Sequence, residues 1–168
     1  MTGITVGYDG SYSAQQALEW AMSEAAIHHA PLTVLAVHPV AASGWTGSPV
    51  ILPEDHPAVE EARQAAMDAI AKAAAELGES SAVPVTVRAV SGIPAQELMK
   101  ASADTDLLVV GARGHSGITH LFLGSVSTAM LHHAHCPVAV IPSAKAAESS
   151  ASKSPVTRSE EPPGLILA

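Results

Sequence analysis

Five short runs rich in Val, Ile and Leu alternate with Ala-rich stretches of helical spacing, and that alternation admits few folds. The runs are Ile4–Tyr8, Leu32–Val37, Val83–Val90, Asp106–Val110 and Cys136–Ile141. Between the first two, Ala14, Ala17, Leu18, Ala21 and Ala25 form one stripe, and Ser11 or Ser13 stands where a helix cap belongs. Asp55 as cap and Pro57 in the first turn announce a longer helix, with Ala62, Ala65, Ala66, Ala69, Ile70, Ala73 and Leu77 as its buried face and Gly78 as its stop. Ser91-Gly92-Ile93-Pro94 turns into a short helix carrying Ala95, Leu98 and Met99, and a last helix spans Ser125 to His133. Strand then helix, repeated, predicts an α/β fold: an open parallel sheet with helices on both faces.

The fourth strand leads into the most informative stretch, DLLVVGARGHSGITHLFLGSVS, from Asp106 to Ser127. A fully apolar, β-branched strand runs straight into Gly111, Gly114 and Gly117, which let the backbone turn sharply and approach a ligand closely. Gly124 and Ser125 then open a helix, whose first N–H groups and partial positive charge suit an anion. Arg113, His115 and His120 are the cationic side chains of the region. The pattern is not a Walker A loop, because no Lys-Ser/Thr pair follows the glycines, and it is not G-x-G-x-x-G. It is Gly111-x2-Gly114-x9-Gly124-Ser125, and it reads as a phosphate cradle.

Charge narrows the partners. Eight Lys plus Arg against sixteen Asp plus Glu give a net charge of −8, so nucleic acid and anionic membrane are disfavoured. A polyphosphate must then be held by local backbone dipoles, with a divalent ion alongside. The single cysteine, Cys136, excludes an internal disulfide and fits a reducing compartment. With no apolar run of membrane-spanning length and no targeting signal, the expected location is the cytoplasm.

Asp9, at the end of the first strand, has two readings that coexist: an Asx turn or cap, and a ligand contact at a strand's carboxyl end. Residues 39–56 lack periodicity and read as a long loop, with Trp45 at its tip. His132, His133, His135 and Cys136 invite a metal assignment, but adjacent helical residues diverge by roughly 100°, and His at a helix end suits the dipole. The His28-His29 pair ends the first helix in the same way. From Ser143 to Glu161 the composition of Ala, Ser, Lys, Glu and Pro cannot bury a core. The expected organisation is one domain over 1–142 and a disordered C-terminal tail over 143–168, whose apolar end, Gly164 to Ala168, reads as loose.

The chain resembles the universal stress protein family in its ATP-binding branch. The likeness rests on ITVGYDGSYSAQQAL, LTVLAVHPV, VSGIPAQEL, DLLVVGARGHSGI and LGSVSTAMLHHAHCPVAVIP, and covers residues 3 to 142. It implies a Rossmann-like five-stranded sheet ordered 3-2-1-4-5, with the reversal between strands one and four. It also implies that Asp9 meets the ribose and base side and that the Val37 backbone meets adenine. Gly111, Gly114, Gly124 and Ser125 then hold ribose and phosphates, with Arg113, Val126 and Ser127 beside them. ATP is the implied ligand, with Mg2+ or Mn2+ bound through the phosphates; AMP and cyclic AMP stay open. Tyr8 stands where the family has a smaller or different residue. Family members pair through the fifth strand, so a homodimer is expected.

No catalytic residue stands out: no Ser-His-Asp spacing is visible, and only Asp9 among the carboxylates belongs clearly to the pocket. The chain reads as a nucleotide-dependent regulator in a stress response. A slow ATPase and a nucleotide-independent interaction module are the competing readings.

Overall fold

The computed structural model describes residues 3–40, 50–78, 83–114 and 123–142. Its elements follow in the order β1 (Ile4–Tyr8), α1 (Tyr12–His28), β2 (Leu32–Pro39), α2 (Pro57–Leu77), β3 (Val85–Gly92), α3 (Pro94–Ala101), β4 (Leu107–Gly111), α4 (Ser125–His133) and β5 (Val138–Ile141). A short 3-10 turn, Ser102–Asp104, links α3 to β4. All strand pairs are parallel and the sheet order is β3-β2-β1-β4-β5.

Alternation along the strands divides the core into two layers. Ile4, Val6, Val34 and Val109 face α1 and α2, where Ala17, Ala21, Ala25, Ala66 and Ala73 are fully covered. Leu35, Val90, Leu108 and Val110 face the other way, with Leu98 of α3 and Met130 of α4. Alanine on the inner faces of α1 and α2 lets both helices lie close to the β-branched sheet, which offsets the small area each alanine buries. Ala65 departs from the expected stripe: it is exposed, about a quarter-turn from the centre of α2's buried face.

Several boundaries move for identifiable reasons. The third strand begins at Val85 rather than Val83 because Pro84 has no N–H for a ladder; its carbonyl accepts from Leu32 N at 2.9 Å instead. The fifth begins at Val138 rather than Cys136, just past Pro137, whose carbonyl accepts from Leu108 N at 3.0 Å. The cap of α2 is His56, not Asp55: His56 Nδ1 accepts from Ala58 N at 3.2 Å. The residue before Pro57 is held to extended backbone, which is the conformation a cap needs. Ser11, not Ser13, caps α1, accepting from Ala14 N at 3.2 Å. α2 stops at Gly78, at a φ of 75°.

The order β2-β1-β4 puts the topological reversal between β1 and β4, and α1 packs across both strands there. At such a reversal the connections leave toward opposite faces and open a crevice beyond the strand ends.

Candidate functional site

Three elements converge at that crevice. From β1 comes Asp9, whose Oδ1 accepts from Ser11 N at 3.0 Å, closing an Asx turn at the start of α1. From β4 comes the loop opening at Gly111. From the other face comes the amino end of α4. This helix is capped by Gly124 with no side-chain hydrogen bond, so the first N–H groups, at Ser125, Val126 and Ser127, keep their capacity. The two sides are joined through Ala112: its carbonyl accepts from Gly124 N at 2.8 Å and from Ser127 Oγ at 3.1 Å.

The cavity has a volume of about 630 Å³, within the range of small-molecule sites. Asp9, Val37, Gly111, Arg113, Gly114, Gly124, Ser125, Val126 and Ser127, the residues expected from sequence, all line it. Its lining is of mixed character. Leu35, Val37, Leu98 and Val110, which belong to one apolar cluster, line it together with Pro94, while Asp9, Arg113 and Ser125 contribute polar groups. Arg113 forms no ion pair among the described residues.

Of the loop glycines, Gly111 and Gly114 are described, and neither has a positive φ. Among the described residues the glycines of positive φ are Gly3, Gly10 and Gly78, none of them in the loop. What Gly111 and Gly114 supply is room. A Cβ on Gly114 would stand 2.7 Å from Asp9 Oδ2, and one on Gly111 would stand 2.7 Å from both Ser13 C and Ser13 Oγ. At Gly124 a Cβ would make ordinary contacts, 3.5 Å to Arg113 Cα and 3.6 Å to Gly114 N, so it would sit between the two sides of the cradle. Ser127 is buried, and its hydroxyl is shared between the carbonyls of Ala112 and Gly124, which makes it a fastener of the loop.

Leu35, Leu98 and Gly7 are crevice residues that the sequence reading did not single out. The signal was available: a glycine inside a buried strand marks close approach of a neighbour, and Leu98 Cδ2 would lie 3.0 Å from a Cβ at Gly7. Tyr8 lines the crevice while packing against the α1/α2 core. Burial raises its phenol above the ordinary 10.0, and the carboxylates of Asp9 and then Asp68 add to the rise. Trp45, His115, Gly117, His120 and the 143–168 tail lie outside the described residues.

The histidine cluster resolves into a helix end. His132 and His133 close α4 with ring centroids 6.1 Å apart, and His135 N donates to Ser102 Oγ at 2.9 Å. Among the described residues no three His, Cys, Asp or Glu side chains stand together as metal ligands. Burial pushes the Cys136 thiol up; a hydrogen bond from the Leu108 backbone opposes this and Asp106 adds to it.

The five-stranded parallel sheet in the order β3-β2-β1-β4-β5 is a fold shared with known proteins. A sequence profile of the universal stress protein family matches residues 1–142. The chain belongs to that family. A universal stress protein of Mycolicibacterium smegmatis is 34% identical over 139 residues, 83% of this chain and 47% of the relative. The chain thus spans about half the length of the curated relatives it matches. Among solved structures, the universal stress protein UspA from Lactobacillus plantarum superposes with a TM-score of 0.64 at 28% identity, over 83% of this chain and 96% of that one. A universal stress protein in complex with cAMP superposes with a TM-score of 0.59 at 26% identity, over 84% and 96%. Nucleotide binding is therefore present among the neighbours of this universal stress protein. No helix among its described residues is long and apolar enough to cross a membrane.

Proposed function

We propose that this universal stress protein binds ATP in the β1/β4 crevice and acts as a nucleotide-dependent regulator in a stress response. The observation that carries the reading is the amino end of α4, opening into a crevice of about 630 Å³ with Gly124 as its cap and no side-chain cap bond among the described residues. The two longer helices, α1 and α2, have side-chain caps from Ser11 and His56; α3 has none either, but its first residue, Pro94, has no N–H to offer. An uncapped N-terminus beside Arg113 suits phosphate, and the apolar part of the lining suits a base. Gly124, Ser125, Val126, Gly114 and Arg113 hold the phosphates; Asp9 faces the ribose, and Val37 offers its backbone to the base. Mg2+ or Mn2+ is carried by phosphate oxygens and supplies charge neutralisation in a chain of net charge −8.

We read the site as one for regulation rather than turnover: Asp9, which closes an Asx turn, is assigned to the ribose side rather than to the terminal phosphate, so any hydrolysis is expected to be slow. The neighbour in complex with cAMP makes adenosine monophosphates the second ligand class to test. The domain is taken as 1–142 and its location as cytoplasmic, with pairing through β5.

Calorimetric titration of ATP with Mg2+ into nucleotide-free protein tests the reading, repeated with Ser125→Pro. Proline at the first helical position removes one crevice N–H yet is compatible with helix initiation, and Gly124, at φ −65° and ψ 161°, already has the backbone that precedes proline. Wild-type binding with a loss of about tenfold in the variant is expected. Absence of binding by the wild type overturns the reading and leaves an interaction module.

A further inference from the structure

Arg113 lies two residues past the end of β4, and its backbone N–H and carbonyl are both held by the first turn of α1. Its N–H donates to Ser13 Oγ at 3.3 Å, and its carbonyl accepts from Ser11 Oγ at 3.5 Å. These contacts span about a hundred residues of sequence and tie the start of α1, which follows β1, to the loop that follows β4. Ser11 is used twice, since the same hydroxyl oxygen accepts from Ala14 N as the cap of α1. Ser13 is 4% exposed and has its place only because position 111 carries no side chain. A Cβ on Gly111 would meet the Ser13 carbonyl carbon at 2.7 Å, its Oγ at 2.7 Å and its carbonyl oxygen at 2.8 Å.

We infer that Ser13, with Ser11, is a positioning residue for the phosphate site, and that Gly111 is glycine in order to admit this latch rather than to approach the ligand. The inference rests on the proposed nucleotide reading and adds the part that shapes the cradle. The Ala112 carbonyl, one residue before, is held by Gly124 N and Ser127 Oγ on the opposite side. The loop is therefore fastened to α4 at Ala112 and to α1 at Arg113. With both ends of the Arg113 peptide engaged, its side chain and the following Gly114 N–H leave in a fixed direction, beside Gly124. α1 is the right element to hold it: the helix packs across β1 and β4, and Ala17, Leu18 and Ala21 are fully buried, so its first turn does not shift without the core. A hydrogen bond to a fixed helix turn removes rotational freedom that the loop would otherwise lose on binding.

The latch acts on phosphates and not on the base, and the test separates the two. Ser13→Ala keeps helix geometry and removes only the acceptor for Arg113 N. Affinities for inorganic tripolyphosphate, ATP and adenosine are measured for wild type and variant, alongside amide exchange at Arg113. The expected result is a loss of about tenfold for tripolyphosphate and ATP, no change for adenosine, and faster exchange at Arg113. Equal losses for all three ligands would make Ser13 merely structural, and unchanged tripolyphosphate affinity with ATP still bound would overturn the latch alone. If wild-type protein binds none of the three, the nucleotide reading fails and the latch's role falls with it. Should Ser13→Ala not fold, Ser11→Gly serves: it removes the contact to the Arg113 carbonyl together with the cap bond from Ala14 N, and since glycine is itself a tolerated cap the helix start is kept, with a smaller loss in the same ligand order expected.

Discussion

At Gly114 a methyl group would stand 2.7 Å from Asp9 Oδ2, against a carboxylate already bound to Ser11 N. Gly114→Ala therefore displaces either the loop or the Asx turn, and both belong to the crevice. A loss of about tenfold in ATP affinity, with small change in unfolding free energy, is the expected outcome by calorimetry and urea titration. Gly111→Ala behaves differently, because its methyl meets Ser13 backbone: destabilisation of about 1–3 kcal/mol should accompany the loss of binding. Tyr8 gives a pH signature. Its phenol stays neutral in the folded chain past the ordinary 10.0, so the unfolded chain releases the proton first. The stability this contributes is present below that value and is lost as pH rises through the folded one. Unfolding free energies measured from about pH 9 to 11 should fall less steeply in Tyr8→Phe. A steeper or equal fall would contradict the sign.

At the scale of elements, local chemistry made the fold legible and tertiary contact made the details illegible. The β-branched runs and alanine stripes announced every strand and helix, because period-2 and 3.6-residue patterns are imposed by burial on a two-faced sheet. The misplaced starts of β3 and β5 follow from Pro84 and Pro137, whose missing N–H outweighs the apolar character of Val83 and Cys136. Glycine spacing pointed to the loop between β4 and α4, and the family resemblance added Asp9 and Val37; all nine residues line one crevice, yet the spacing does not say what each glycine does. Gly111 accommodates Ser13 from a helix about a hundred residues earlier, and nothing local encodes that. Gly7 did carry a local sign, as a glycine inside a buried strand, but the identity of the neighbour that approaches it, Leu98, is set by tertiary packing. Their contact supplies a volume-swap prediction: Gly7→Val pushes Leu98 toward the crevice, because Leu98's other core neighbours, Leu35 and Val110, are buried. Adding Leu98→Ala removes the three carbons that valine adds. ATP affinity should drop in Gly7→Val and recover in the double variant, while tripolyphosphate affinity stays within about twofold throughout.

For the whole molecule the question is what its two sheet edges do, since an unpaired edge is a template for another chain. The edges are not alike. Along β3, Arg63 of α2 reaches over to donate from Nη1 to the Val87 carbonyl at 3.4 Å, which occupies an outward group and places a charge beside the strand. β5 is four residues of Val, Ala and Ile, every one of them half-buried in the isolated chain. The carbonyls of Pro137 and Ile141 accept from Leu108 N and Ala112 N, so odd-numbered residues pair with β4 and Val138 and Val140 direct their backbone outward. Pairing of two copies through β5 would satisfy those groups and cover the apolar edge. Light scattering at micromolar concentration should then report twice the 17.1 kDa chain mass. Val140→Pro removes one outward N–H and leaves the β4 ladder intact, so it should give a folded monomer that still binds ATP, because the crevice opens beyond β1 and β4 and β5 contributes no lining residue. A wild-type monomer would rule out the β5 dimer, and a Val140→Pro dimer would move the interface to another face, with Tyr12, Trp20 and Ile27 along exposed α1 the next positions to mutate.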